Sequence, residues 1–176
     1  MEASIYRRSF WMPFILTAAI VVVDQATKLI IVRTIPYPGI GASLMDGFLR
    51  IIHTRNLGIA FSIGNSLAPD ARRVLFIIFP SLVMVFVLLY YFRGSDVTHG
   101  MRWALAGIVG GGVGNIIDRI FRPLGVVDFL DFRFYGILGL ERWPTFNVAD
   151  MSVVLSGITL IVLFMLQERR NREQES

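Results

Sequence analysis

Four long apolar stretches restrict what this chain can fold into more than any other feature. They cover about residues 10–32, 74–92, 101–121 and 146–166. A bilayer core about 30 Å thick needs roughly 20 apolar residues of helix to cross it, and each stretch is long enough. In hydrocarbon every backbone N–H and C=O must be paired within the protein, which a lone segment achieves as a helix. The expectation is an all-α membrane protein of four transmembrane helices, a single integral membrane domain over residues 1–176. Composition agrees: 55% of the 176 residues are apolar, more than a soluble domain of that length needs. The first stretch follows Arg7 and Arg8 as an export signal would. It is too long for one, lacks a small-residue cleavage site and carries Asp24 and Lys28, so it is expected to be retained.

The formal charge of +4 comes from 17 basic and 13 acidic residues, all but one of the basic residues being Arg. The Arg residues are scattered along inter-helix segments and tails, a distribution suited to membrane lipids; no nucleic-acid partner is expected. The chain has no Cys. Disulfides, thiolate metal sites, a Cys nucleophile and lipidation of this chain on Cys are thereby excluded. Four spans place both termini on one side. Arg density is higher in the termini and the 93–102 loop than in the long 33–73 and 122–145 loops, which puts the termini inside.

The first outer loop is too long for a turn. Residues 48–54 (FLRIIHT) and 59–63 (IAFSI) read as short strands flanking Asn56 and Gly58, a small β-containing unit on the membrane surface. Residues 66–73, with Pro69 near the start and Arg72 and Arg73 at the end, read as a short interfacial helix.

An ionisable side chain inside a bilayer costs about 2.5–3.5 kcal/mol, so each one needs a reason. Span direction places them. Asp24 and Lys28 fall in the second half of the first span, and Asn115, Asp118 and Arg119 at the far end of the third. Asn147 and Asp150 open the fourth, and Asp128 lies in the loop directly after the third. All therefore sit at similar depth near the outer face. Asp24 and Lys28, four apart, can pair on one helix face, and Asn115, Asp118 and Arg119 share another. These groups could do no more than neutralise one another and anchor helix ends.

Asp128 and Asp150 have no opposite charge within a helical turn of sequence. Two carboxylates in a low-dielectric site share one proton, so one can activate water as a base while the other acts as an acid toward a carbonyl oxygen. A structural or proton-relay role stays open beside this dyad reading. Ser62 and Ser66 have no nearby His. His53 and His99 fall on opposite membrane sides, which argues against a Ser–His–Asp triad or a multi-His metal site. The glycines of residues 107–114 resemble a phosphate loop, but inside a membrane helix small residues four apart serve close helix packing.

Five segments, in order, resemble the bacterial prolipoprotein signal peptidase (signal peptidase II) family. They are Asp24-Gln25-Ala26-Thr27-Lys28, Asn56-Leu57-Gly58-Ile59-Ala60-Phe61-Ser62, Gly114-Asn115-Ile116-Ile117-Asp118-Arg119, Val126-Val127-Asp128-Phe129 and Phe146-Asn147-Val148-Ala149-Asp150. The resemblance implies a multi-pass protein of the bacterial cytoplasmic (inner) membrane with cytoplasmic termini. It implies an aspartyl endopeptidase that removes the signal peptide from diacylglyceryl-modified prolipoproteins just before the lipid-bearing Cys. Asp128 and Asp150 match its catalytic aspartates. Asp24, Lys28, Asn56, Gly58, Asn115, Asp118, Arg119 and Asn147 match residues that shape the site or hold substrate. No metal or organic cofactor is implied, and globomycin-type inhibitors are expected to occupy the site. Residues 132–142 are individual to this chain, and Ile59 is bulkier than the family pattern has there. The alternatives are an intramembrane protease of the presenilin type, a proton-coupled transporter and a structural membrane subunit. The first would carry Gly-x-Gly-Asp, where this chain has Asn115 after Gly112-Val113-Gly114. A transporter would need ionisable residues through the full membrane depth, and the inner halves of the spans are nearly free of them.

Overall fold

One helix packs against all the others because it lacks side chains where they meet it. In the computed structural model, which describes residues 10–58 and 68–175, this is the helix His99–Phe121 (α3). A Cβ at Gly107 or Gly111 would collide with Ser156 or with the Ala149 carbonyl and Val153, all on the last helix, Val148–Glu175 (α4). At Gly110 or Gly114 it would press on Ile20 or Asp24 of the first helix, Pro13–Thr34 (α1), and at Gly112 on Met84 of the second, Pro69–Arg93 (α2). The glycine run is therefore a packing device, as expected of small residues in membrane helices. The Thr17 hydroxyl donates to the Ala106 carbonyl and the Ser152 hydroxyl to the Gly107 carbonyl, both at 2.8 Å, fastening α1 and α4 to α3.

All four helices are long and apolar enough to cross a membrane. Their limits follow local chemistry. Pro13 and Pro69 begin α1 and α2, where a missing N–H costs nothing, and the Thr98 hydroxyl caps α3 by accepting from the Met101 amide at 3.3 Å. The described part of the expected interfacial helix at 66–73 is the start of α2. From Pro69 no further Pro or Gly intervenes before Pro80, and the helix runs unbroken to Arg93. Likewise α4 continues past residue 166 to Glu175, as a charged extension with Arg–Glu pairs four residues apart.

The β unit has three antiparallel strands in the order β1 (Gly39–Leu44), β2 (Leu49–Asn56) and β3 (Val126–Phe132). β2 matches the expected strand at 48–54, whereas the expected strand at 59–63 lies outside the described residues. β3 corrects the sequence reading, which placed Asp128 in a loop. Asp128 sits opposite Thr54, with Val126 opposite Asn56 and Phe132 opposite Leu49. Gly125 turns the chain from α3 into β3 at φ 87°, and a side chain there would strike the Asn56 backbone. Ile31 of α1 and Ile35, the residue that caps its end, then pack on Val127 and Phe129, seating the strand on the bundle.

At the opposite end of the bundle, Phe10 and Phe14 pack around fully buried Tyr91, whose hydroxyl donates to the Phe10 carbonyl at 2.5 Å. That end carries no charge cluster comparable to the one beside β3 among the described residues.

Gly111→Val tests the packing account directly. Overfilling the α3–α4 contact should destabilise the protein by about 1–3 kcal/mol, read as a lower Tm in detergent. An unchanged Tm would mean that α3 and α4 do not approach as closely as described.

Candidate active site

Lys28 is fully buried, and an ammonium in that position needs three acceptors for its three N–H groups. It has them. Asp24 Oδ2 lies at 2.8 Å, Asp118 Oδ2 at 3.2 Å and Asn115 Oδ1 at 3.0 Å. The Asp24–Lys28 pair on α1 is thus the one expected from spacing, and it closes onto α3 as well.

Both acids serve further partners. Asp24 Oδ1 accepts from the Ala149 amide at 3.0 Å, in the first turn of α4. Asp118 Oδ2 accepts from the Val127 amide of β3 at 3.0 Å, and Oδ1 pairs with Arg122 one turn on. The Gln25 amide donates to Asp24, to Asp118 and to the Gly114 carbonyl at 3.0–3.1 Å. Buried charge is tolerated because every formal group is matched.

The network hands its geometry to the two remaining carboxylates through amides. Lys28 holds the Asn115 oxygen, so the Asn115 Nδ2 faces away and donates to Asp150 Oδ1 at 2.7 Å. Asp150 also closes a capping box at the start of α4. Its own amide donates to Asn147 Oδ1 at 2.9 Å, and its Oδ2 accepts from the Asn147 amide at 3.2 Å. Asn147, fully buried, donates from Nδ2 to Asp128 Oδ1 at 2.7 Å and also contacts Asn115 Oδ1 and the Val127 carbonyl. A single side chain therefore bonds to both Asp128 and the residue-150 backbone. β3 is brought to this point by Phe146, whose carbonyl accepts from the Phe129 and Leu130 amides.

Asn56 completes the ring. Its Oδ1 accepts from the Gly58 amide at 3.1 Å, which turns its Nδ2 toward Asp128 Oδ2 at 3.3 Å. Asp128 is buried, and desolvation pushes its carboxyl up to about 7, helped by the charge of Asp150. The hydrogen bonds from Asn147 and Asn56 and the charge of Lys28 oppose the shift without cancelling it. Asp150 is only half-buried, which leaves the pair open on one side.

All ten residues singled out in the sequence gather at this end of the bundle. Arg119 differs from expectation in its partner. Among the described residues it has no ion pair with Asp118, which instead pairs with Lys28 and Arg122; the Arg119 charge acts most on Asp150, then on Asp128 and Asp118. Adjacent helical residues diverge by about 100°, so the Asp118 and Arg119 side chains point apart, the first toward Lys28 and the second toward Asp150 and Asp128. Sequence reasoning passed over Gln25 and Arg122. The i,i+4 spacing of Asp118 and Arg122 was the available signal for the second; Gln25 carried none beyond its place between Asp24 and Lys28.

A four-helix membrane protein in which Asn147 bonds one carboxylate through its side chain and a second through its backbone amide has, by arrangement, the paired acids of a hydrolase site. Its sequence places it more narrowly: the pattern of the signal peptidase (SPase) II family matches residues 16–167. The chain belongs to that family. It is 40% identical over 176 residues to the lipoprotein signal peptidase of Treponema pallidum (strain Nichols), covering 100% of this chain and 95% of the relative. It is 46% identical over 153 residues to that of Borrelia turicatae (strain 91E135), covering 87% and 88%. A solved bacterial membrane enzyme superposes with a TM-score of 0.74 at 27% identity, covering 91% of this chain and 90% of the other.

Lys28→Met should expose the dependence of the site on its cation. Leaving Asp24 and Asp118 buried without it should cost about 3–5 kcal/mol in thermal unfolding, and Lys28→Met with Asp118→Asn should recover part of the loss. A single variant as stable as the wild type would show that the cluster is not held by Lys28.

Proposed function

We propose that Asp128 and Asp150 form the catalytic dyad of a membrane aspartyl endopeptidase that removes signal peptides from diacylglyceryl-modified prolipoproteins. Family membership supplies the peptidase class and the prolipoprotein substrate, and cleavage falls just before the lipid-bearing Cys. The observation that carries the residue assignment is the bridging of the two acids by Asn147, beside an Asp128 carboxyl that stays protonated to about 7. At neutral pH the pair holds one proton.

A water bound between the carboxyls is deprotonated by the ionised one and attacks the scissile carbonyl carbon. The neutral carboxyl donates its proton to the developing oxyanion. When the tetrahedral intermediate collapses, the C–N bond breaks, the amine of the new N-terminus takes the proton held by the base, and the other carboxyl, now ionised, takes a proton back from a hydroxyl of the diol as the product acid forms. Asn56 and Arg119 orient the substrate backbone. Asp24, Lys28, Gly58, Asn115, Asp118 and Asn147 keep the pair in place without touching the reacting atoms.

The protein lies in the bacterial cytoplasmic membrane with both termini in the cytoplasm and the dyad near the outer face, a placement supported by the Arg density of the termini and the 93–102 loop. At that depth a peptide bond can enter from the side while its acyl chains stay in lipid. Globomycin-type inhibitors bind in the same place.

Asp128→Asn and Asp150→Asn, assayed on a diacylglyceryl-modified prolipoprotein in detergent, should each lose cleavage by at least about a thousandfold while keeping a folded Tm. Asn is the suitable replacement at position 150, because its oxygen can still accept from the Asn147 amide. Near wild-type turnover in either variant would overturn the assignment. A proton-coupled transporter would instead show ion flux in vesicles and no cleavage.

A further inference from the structure

The strand that carries Asp128 also fixes the depth of a feature the reaction does not use. β3 starts directly after the turn that ends α3, and at Leu130 it pairs with Phe146, two residues before α4 begins. Packed helices lie about 8–10 Å apart, and residues 126–130 of a strand cover about 13 Å. β3 therefore crosses the end of the bundle sideways from α3 to α4. Seated on Ile31 and Ile35 through Val127 and Phe129, β3 stays at the level of the helix ends, and its onward residues lead past Phe146 and the start of α4.

Two turns meet at this projecting end. Leu44 and Leu49 pair across the β1–β2 turn, and Leu49 sits opposite Phe132, where the 133–142 turn begins. The turns are fastened together. The Arg133 amide donates to the Phe48 carbonyl at 2.8 Å, and Arg142 donates to the Gly47 carbonyl at 3.2 Å while holding buried Asp131. Phe48 stacks on Tyr135.

What this end presents is mostly apolar, with exposed Asp46 beside Met45 and the Arg133–Glu141 pair at its margin. Leu138 is 84% exposed and Met45 76%, with Leu44, Tyr135 and Ile137 exposed beside them. Met45, Tyr135 and Leu138 also hold φ of 52–55°, a left-handed conformation unfavourable for side chains of this kind. In water, both the strain and the exposed apolar surface would be uncompensated.

We propose that the joined turns insert into the boundary between headgroups and acyl chains of the leaflet nearest the site, as an apolar anchor that steadies the sheet over α4. The surroundings suit that layer: Trp143 and Tyr135 are amphipathic rings, and the Arg133 guanidinium lies 5.1 Å above the Tyr135 ring. The proposal requires only that the four helices span a bilayer, and it stands apart from the assignment of the catalytic pair.

The absence of Cys makes the test clean. Leu138→Cys and Met45→Cys, each labelled with the fluorophore NBD and placed in phosphatidylcholine nanodiscs, are compared with Arg170→Cys on the exposed end of α4. Retained prolipoprotein cleavage confirms that the labelled proteins are folded. At both turn positions the emission should be blue-shifted without substrate, quenched by lipids carrying a nitroxide near the glycerol backbone, and severalfold less sensitive to iodide than at position 170. Water-like emission with iodide quenching equal to position 170 would overturn the proposal. So would lipid quenching that appears only on adding prolipoprotein, since the turns would then be a substrate contact.

Discussion

The buried ammonium of Lys28 is the constraint from which the polar end of this protein is built. A lone cation in that position would carry a desolvation penalty of several kcal/mol. It is accepted because Asp24, Asp118 and Asn115 take its three N–H groups. Meeting that requirement fixes the rotation of α1 against α3. Since Asp24 also accepts from the first turn of α4 and Asp118 from β3, two further elements are set by the same cluster. Its value lies in registry more than in stability, because a matched buried ion pair adds little net free energy while a wrong alignment would strand a charge.

The amides translate that registry into chemistry. A carboxamide has one end that accepts and one that donates, and fixing the first fixes the second. Lys28 fixes Asn115, and the Gly58 amide fixes Asn56. The Asp150 amide fixes Asn147. Their donating ends then converge on Asp150 and Asp128. No cation bonds directly to either acid among the described residues, which is why burial can keep the Asp128 carboxyl protonated to about 7. Asp24 and Asp118, which bond the backbone of Ala149 and Val127 next to those two acids, are held by Lys28 instead.

The helices were legible in the sequence because lipid demands length and apolarity together, and both can be read directly. The convergence of polar groups at one end was also legible, since helix direction alone sets depth. β3 was not. Val126, Val127 and Phe129 are buried on both faces with Asp128 among them, so the strand lacks the alternation that marks a half-exposed one. Its partner β2 lies some 70 positions away in sequence, beyond any local signal. Asn147-Val148-Ala149-Asp150 carried the spacing of a capping box, which explains locally why Asp150 must follow Asn147 by three residues. Depth assigned Lys28, Asp118 and Arg119 to one neighbourhood, but only tertiary packing decided that Lys28, and not Arg119, would join Arg122 in pairing with Asp118.

As proposed, Asp128 and Asp150 work as a pair holding one proton. The most direct test is the pH dependence of kcat/KM for cleavage of a lipidated prolipoprotein. Above the Asp128 value both carboxyls are ionised, leaving no acid for the oxyanion, so the rate should fall tenfold per pH unit as pH rises beyond about 7. A rate that stays level to about pH 9, with substrate lipidation and protein folding verified across the range, would contradict a shared proton and the dyad with it.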